Sequence, residues 1–294
     1  MVAIVLVNFN GAEDTIECLS SLADAKINGD NQVIVVDNKS TDDSIERLQY
    51  AREEYNFILL ESDSNVGFAG GNNIGIKYAL EHGCEYILLL NNDTVVEQDF
   101  LQQLLSGFNY SENAGMTTCK ILLNSSRDTV WYDGGALSKV TGRTEHFNYG
   151  KKDSNATLTP REVTFASGCC MCLSRKAIQT VGLLNEDFFL YEEDTDYCYM
   201  LTKAGLSIVY VPQGIIYHKV SASTGQGSPM SQYYAVRNKY WLIQNNFRGV
   251  NKILAYLYST AQMLFRCMKH ELDYRCFKAG YRDFRKGIKG KIKI

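Results

Sequence analysis

Residues 86–95, YILLLNNDTV, run apolar and then stop at Asn91, Asn92 and Asp93. A strand buried on both faces reads as a continuous apolar run, and open α/β sheets bind ligands beyond the carboxyl ends of such strands. Asp93 therefore stands where a ligand is expected. Oxygen donors suit Mg²⁺ or Mn²⁺, and the Asp93 carboxylate beside the Asn92 carboxamide could hold such a cation against a substrate's phosphates. The same three residues are also good turn formers. His218, at the end of GIIYH, could lend an imidazole nitrogen to that cation, although a histidine after a strand also serves structure. A second acidic group follows the apolar stretch FFLY: Glu192, Glu193, Asp194 and Asp196. Acids in a helix's first turn are stabilised by the macrodipole, but three in succession exceed what capping needs. Crowded carboxylates raise one another's pKa, and one facing a cleft could take a proton from a hydroxyl nucleophile. Asp194 is assigned that role, with Glu193 as the neighbouring candidate.

Other residues have the chemistry of a nucleotide site. Asp37 ends VIVVD, where an acid can accept hydrogen bonds from a ribose or a base, while Thr41–Ser44 reads as a helix cap. The segment NVGFAGGNNIG sets Asn65, Gly67, Gly70, Gly71, Asn72 and Gly75 around the start of a helix, where backbone amides can approach a diphosphate. A tight turn with close helix packing reads from the same glycines. No G-x-G-x-x-G follows the first strand and no G-x-x-x-x-G-K-[ST] occurs, which argues against a dinucleotide dehydrogenase and an ordinary P-loop. Arg237, in YYAVRNKYW, could grip a phosphate bidentately or could be a surface residue of a core helix.

The elements that must position these residues are legible as a pattern. Apolar runs at 3–7, 32–36, 57–60 and 86–90 alternate with helical patterns at 14–23, 42–53 and 71–81, as in βαβ units around a parallel sheet. Each run ends in polar residues, so four strand ends share one rim. Residues 124–162 are rich in Ser, Thr, Asn, Gly and charge, and are expected to form strands and loops that cover a substrate. Beyond Val209 the pattern turns to Tyr-rich helices, with Ile253, Leu254, Leu257, Ala261, Leu264, Phe265 and Met268 at helical spacing.

The chain has 294 residues, 45% apolar and 21% charged, ordinary for a soluble globular enzyme, and its net charge of −3 argues against general nucleic-acid binding. The charge is uneven. From Arg266 to Ile294 ten Lys/Arg face three Asp/Glu, a balance of +7, which leaves −10 on residues 1–265. Tyr, Phe and Ile interleaved with these cations describe an anionic membrane surface as a partner for residues 266–294. Nine cysteines fit neither a paired metal motif nor a disulfide framework, so they read as reduced, mostly buried thiols. The amino-terminal run has no basic lead and reads as a first strand, which with the thiols points to a cytoplasmic protein.

Taken in order, VLVNFNG, VVDNKSTD, NVGFAGGNNIG, LLLNNDT, SGCCM, FFLYEEDTD, the histidine of IYHKVSAS and YYAVRN resemble the inverting family 2 glycosyltransferases of GT-A fold, in particular the bacterial rhamnosyltransferase-like branch. The resemblance implies an α/β nucleotide-diphospho-sugar transferase fold over residues 1–220, followed by a helical, basic region at 221–294. It implies that Asn8, Asn10 and Asp37 contact the nucleoside of a nucleoside diphosphate sugar, and that Asp93 and His218 ligate Mg²⁺ or Mn²⁺ on its diphosphate. It also gives Asp194 as base and Arg237 a phosphate or acceptor role. The acceptor would be a glycan or lipid-linked glycan at the inner face of the cytoplasmic membrane, and the leading donor dTDP-rhamnose. One departure is plain: the usual D-x-D is Asn91-Asn92-Asp93 here, which lowers the ligand charge. A sugar nucleotidyltransferase and a non-catalytic nucleotide-sugar-binding protein remain open beside it.

Overall fold

The computed structural model describes residues 1–25, 31–154, 159–220 and 227–292. Its first part alternates β1 (Val2–Asn8), α1 (Ala12–Asp24), β2 (Gln32–Asp37), α2 (Ser44–Ala51), β3 (Ile58–Glu61), α3 (Gly67–Glu81) and β4 (Tyr86–Leu90). β4, β1, β2 and β3 lie side by side and parallel, with Val5 opposite Leu89 and Ile34 and with Asn8 level with Asp37. Ile4, Val5 and Leu6 are fully buried. Each such side chain removed from water contributes about 1.5–3 kcal/mol, which is why these strands read as unbroken apolar runs.

Helix α3 lies against β1 because its glycines permit it: a Cβ on Gly71 would sit 2.7 Å from Val7 Cγ1, and one on Gly75 2.4 Å from Val5 Cγ1. The packing alternative for this segment is therefore the one the fold uses at Gly71.

The chain continues through β5 (Thr94–Val96), α4 (Phe100–Ser106), β6 (Ala114–Leu123), β7 (Ser126–Tyr132), β8 (Gly135–Leu137), β9 (Thr144–His146), β10 (Arg161–Val163), β11 (Cys170–Ser174), α5 (Arg175–Val181), α6 (Glu193–Lys203) and β12 (Ser207–His218). β11 inserts antiparallel between β4 and β6, which makes the second half of the sheet mixed. Residues 124–162 supply β7 to β10, as expected of an insertion, although 155–158 lie outside the described residues. β12 runs past Val209 to His218, so the helices start later than the sequence suggests. Its register slips between Val211 and Ile215, where Pro212 cannot donate to the ladder, and pairing resumes beyond the bulge.

Three helices close the chain: α7 (Pro229–Asn246), α8 (Gly249–Met268) and α9 (Tyr274–Arg285). The Ser228 hydroxyl caps α7 by accepting from Ser231 N, with proline at the first position, the expected start signal. All nine cysteines are free thiols, eight of them buried.

Candidate active site

Asp93 and His218 come from strands whose pairing forces them together. β5 and β12 run antiparallel with Thr94 opposite His218, and Lys219 N donates to the Asp93 carbonyl. His218 Nε2 lies 3.1 Å from Asp93 Oδ1, and both side chains are almost fully buried. Lys219 then fastens this corner to α1 through Asp14 at 2.7 Å and Glu17 at 2.6 Å. The Trp131 ring stands edge-on to His218 with centroids 4.6 Å apart, and His146 stands edge-on to Trp131 at 4.8 Å. Burial pulls the His146 imidazole below its ordinary range, while the Trp131 carbonyl and the Asp194 carboxylate pull it the other way.

Among the described residues no three His, Cys, Asp or Glu side chains form a metal cage. The Asp93–His218 pair still fits a divalent cation. One carboxylate oxygen and one imidazole nitrogen converge, and His218 Nδ1 is buried without a hydrogen-bond partner among the described residues. Mg²⁺ and Mn²⁺ are commonly held by one or two protein ligands, with substrate phosphates and water completing the shell.

Beside this corner a chain of buried hydrogen bonds crosses three strand ends. Asn92 Nδ2 donates to Thr15 Oγ1 at 2.8 Å, Thr15 Oγ1 donates to Asn8 Oδ1 at 2.9 Å, and Asn8 Nδ2 donates to Asp37 Oδ2 at 2.8 Å. Ser40 completes it, its hydroxyl donating to Asp37 Oδ2 at 2.6 Å and its N–H to Oδ1 at 2.9 Å. Asn10, in a left-handed conformation at φ 51°, accepts from Thr41 N and locks the first two loops together. Thr41 is thus used by Asn10, while Asp42 accepts from Ser44 N at the start of α2.

The acid side is assembled differently. Asn91 N donates to the Cys169 carbonyl, and the preceding Gly168 N donates to Asp194 Oδ2 at 2.9 Å, so the end of β4 is two bonds from Asp194. Asp194 Oδ1 accepts from Thr195 N at 2.7 Å in the first turn of α6, where the helix dipole favours an anion. Glu193 is buried, Oε2 has no partner among the described residues, and burial together with Asp194 pushes its carboxyl up to about 8. At neutral pH Glu193 therefore holds a proton and is poorly suited to remove one, which leaves Asp194 as the better candidate.

The turn before α6 is strained. Phe189, Tyr191 and Glu192 all have positive φ, at 65°, 69° and 74°. Non-glycine residues in this region cost of order 1 kcal/mol each, so neighbours must hold them. Asn238 does so, its amide donating to the carbonyls of Phe188, Leu190 and Tyr191 at 2.7, 2.7 and 3.1 Å. Phe68 N donates to the Phe189 carbonyl at 2.9 Å. Gly67, at φ 77°, allows that approach: a Cβ there would lie 2.1 Å from Phe189 O. Lys239 pairs with Glu192 at 2.7 Å.

The other candidates named from the sequence have protein partners in this geometry. Arg237 is fully buried, and its guanidinium donates to the carbonyls of Phe188 and Gly290 and to Asn238 Oδ1, while Tyr234 stacks on it. It ties α7 to the acid loop and the tail, and it is fully buried rather than on the surface of its helix. Gly67 and Gly71 are occupied by Phe189 and Val7. Asn65 Oδ1 accepts from Gly67 N, and Asn72 Nδ2 donates to the Phe68 carbonyl within its own helix. Asn73, unremarked in the sequence, bridges α3 to the acid loop through Leu184 and Glu186. Thr15, Trp131 and His146 carry no motif in the sequence, whereas Ser40 lies in VVDNKSTD and Gly168 in SGCCM without a role legible for either.

A family profile described as glycosyl transferase family 2 matches residues 3–182. The low-salt glycan biosynthesis hexosyltransferase Agl10 of Haloferax volcanii is 29% identical over 70% of this chain and 63% of its own length. The dTDP-rhamnosyl transferase RfbF of Shigella flexneri is 25% identical over 82% of this chain and 81% of its own. This chain thus spans less than two thirds of the archaeal relative. Among solved structures, S. aureus TarS 1-349 superposes with a TM-score of 0.61 at 15% identity, covering 98% of this chain and 80% of TarS. The mannosyltransferase PcManGT from Pyrobaculum calidifontis, in complex with GDP-Man and Mn²⁺, gives 0.59 at 14%, covering 98% and 82%. At those identities the likeness shows the GT-A fold.

Proposed function

The chain belongs to glycosyl transferase family 2, and from that premise we propose that it moves a sugar from a nucleoside diphosphate to a hydroxyl of a glycan acceptor, with inversion at the anomeric carbon. The observation that carries this reading is the bonding of Asp194 to Gly168 in the turn that also holds the end of β4, the strand that leads into Asp93; it supports a carboxylate on the same rim as the Asp93–His218 corner.

Asp194 takes the proton of the acceptor hydroxyl as that oxygen bonds to the anomeric carbon. The bond from that carbon to the diphosphate breaks with its electron pair, and a nucleoside diphosphate leaves. A divalent cation held by Asp93 and His218 would neutralise charge on the diphosphate when bound. Asn8, Asp37 and Ser40 form the polar floor on which the nucleoside is proposed to rest, with Asn10 and Asn92 bracing it. The donor we favour is dTDP-rhamnose, supported by the likeness to the dTDP-rhamnosyl transferase of Shigella flexneri. In this reading residues 1–220 carry donor and metal, and 221–294 meet the acceptor at the cytoplasmic face of a membrane. No helix among the described residues is long and apolar enough to cross one.

The test is Asp194→Asn with a panel of nucleotide sugars, with and without Mn²⁺. Thermal shift on the unaltered protein should single out one nucleoside diphosphate sugar. The variant should bind it within about twofold and lose about 10²–10⁴ in transfer rate. Unchanged transfer removes Asp194 as base, and release of pyrophosphate from a nucleoside triphosphate would replace the transferase reading with nucleotidyl transfer.

A further inference from the structure

Helix α8 is amphipathic in the reverse of the usual sense. The side it buries carries Ala255, Ser259 and Met263, spaced four apart. The opposite side carries Val250, Ile253, Leu254, Leu257, Leu264, Phe265 and Met268, all exposed, with Val250 at 70%, Leu257 at 64% and Met268 at 72%. The 3.6-residue period places these in one stripe along 20 residues, a helix about 30 Å long. A packed surface helix turns its apolar stripe to the core, and a contiguous exposed stripe of this size marks an interaction surface.

Its surroundings identify the partner. Eleven Lys/Arg face three Asp/Glu from Gly249 to Ile294, a balance of +8. Arg248 and Lys252 stand at the start of α8, Arg266 and Lys269 at its end, with the Lys269 ammonium 4.7 Å from the Phe265 ring centre. α9 exposes Arg275, Lys278, Arg282 and Arg285. Glu271, Asp273 and Asp283 partly offset Arg266, Arg275 and Arg282, while Lys278 and Arg285 have no carboxylate partner among the described residues. An apolar stripe edged by cations and aromatic rings matches the headgroup region of an anionic bilayer, where apolar burial and attraction to lipid phosphates add. A symmetric contact with a second copy would instead set two regions of +8 against each other.

We propose that α8 docks this protein on an anionic lipid surface, lying in the plane of the interface with Val250 to Met268 toward the acyl chains. This moves the membrane contact expected of residues 266–294 toward the amino end, to the stripe that begins at Val250, with the basic tail as its electrostatic complement. It stands independently of sugar transfer.

The experiment is sedimentation of the full chain with vesicles of phosphatidylcholine containing about one third phosphatidylglycerol, against phosphatidylcholine alone. Binding to the anionic vesicles is expected, about tenfold weaker or worse for Leu257→Asp/Leu264→Asp. Circular dichroism and thermal unfolding of the variant should match the parent because both positions face solvent. Val250→Asp/Met268→Asp, at the two ends of the stripe, provides the same test if the central pair does not fold. Binding unaffected by both variants would assign the membrane contact to the tail alone and overturn the proposal. Light scattering supplies the remaining outcome: absence of vesicle binding, with a dimer that dissociates on the same substitutions, would make the stripe an interface between copies.

Discussion

The two sides of the rim are built on different principles. The donor side is a relay of short side chains, from Asn92 through Thr15 and Asn8 to Asp37 and Ser40, contained within the first 92 residues and standing on regular strand ends. The acid side brings Asp194 to Gly168 through a turn with three left-handed residues, restrained by Phe68 from α3 and by Asn238 from α7. The first is preformed by secondary structure. The second stores backbone strain that distant residues offset, so injury there should reach turnover before it reaches donor binding.

Removing the restraint is the largest test of that contrast. Asn238→Ala withdraws three hydrogen bonds from the acid loop, and should cost about 3 kcal/mol of stability and about 10² in kcat. Calorimetric donor affinity should stay within about twofold; an equal loss in both would break the distinction between the halves.

Next is the charge state of the acid loop. Because burial raises the Glu193 carboxyl to about 8, above its ordinary 4.5, the folded state holds this proton more tightly than the unfolded one. Its stabilising effect is complete at low pH and fades as pH climbs toward about 8. Asp196 is raised to about 6 and acts the same way at lower pH, whereas His146, lowered from 6.5, acts in the opposite sense below that value. From about pH 6.5 to 8 Glu193 therefore makes the largest contribution, the buried thiols adding in the same direction toward the upper end, and the parent should lose about 2 kcal/mol across this range. Glu193→Gln should flatten that slope in urea melts at several pH values, and a variant with the parent's slope would remove Glu193 as its source.

The smallest effect is expected on the donor side. Thr15→Val keeps the shape but breaks the relay between Asn92 and Asn8, at a cost of about 1–2 kcal/mol, and should weaken donor binding up to about tenfold with kcat little changed. A fall in kcat with affinity intact would show that the relay reaches the chemistry.

These contrasts also separate what the sequence carried alone from what folding decided. The apolar runs before Asn8, Asp37 and Asn91 specified parallel strands and their rim, because a strand buried on both faces requires continuous apolar residues. The acids of FFLYEEDTD were visible for the same reason: three charges in succession exceed any capping need. The sequence could suggest a shared cation for Asp93 and His218, but their contact is the work of tertiary structure, since they stand 125 positions apart and an antiparallel register joins them. Tertiary structure decided that Arg237 is buried against the carbonyls of Phe188 and Gly290, because the surroundings of a guanidinium depend on which backbone oxygens the fold brings to it. It also turned the apolar stripe of α8 outward. Periodicity shows that a helix has an apolar face, but the direction of that face is set by the neighbours it packs against.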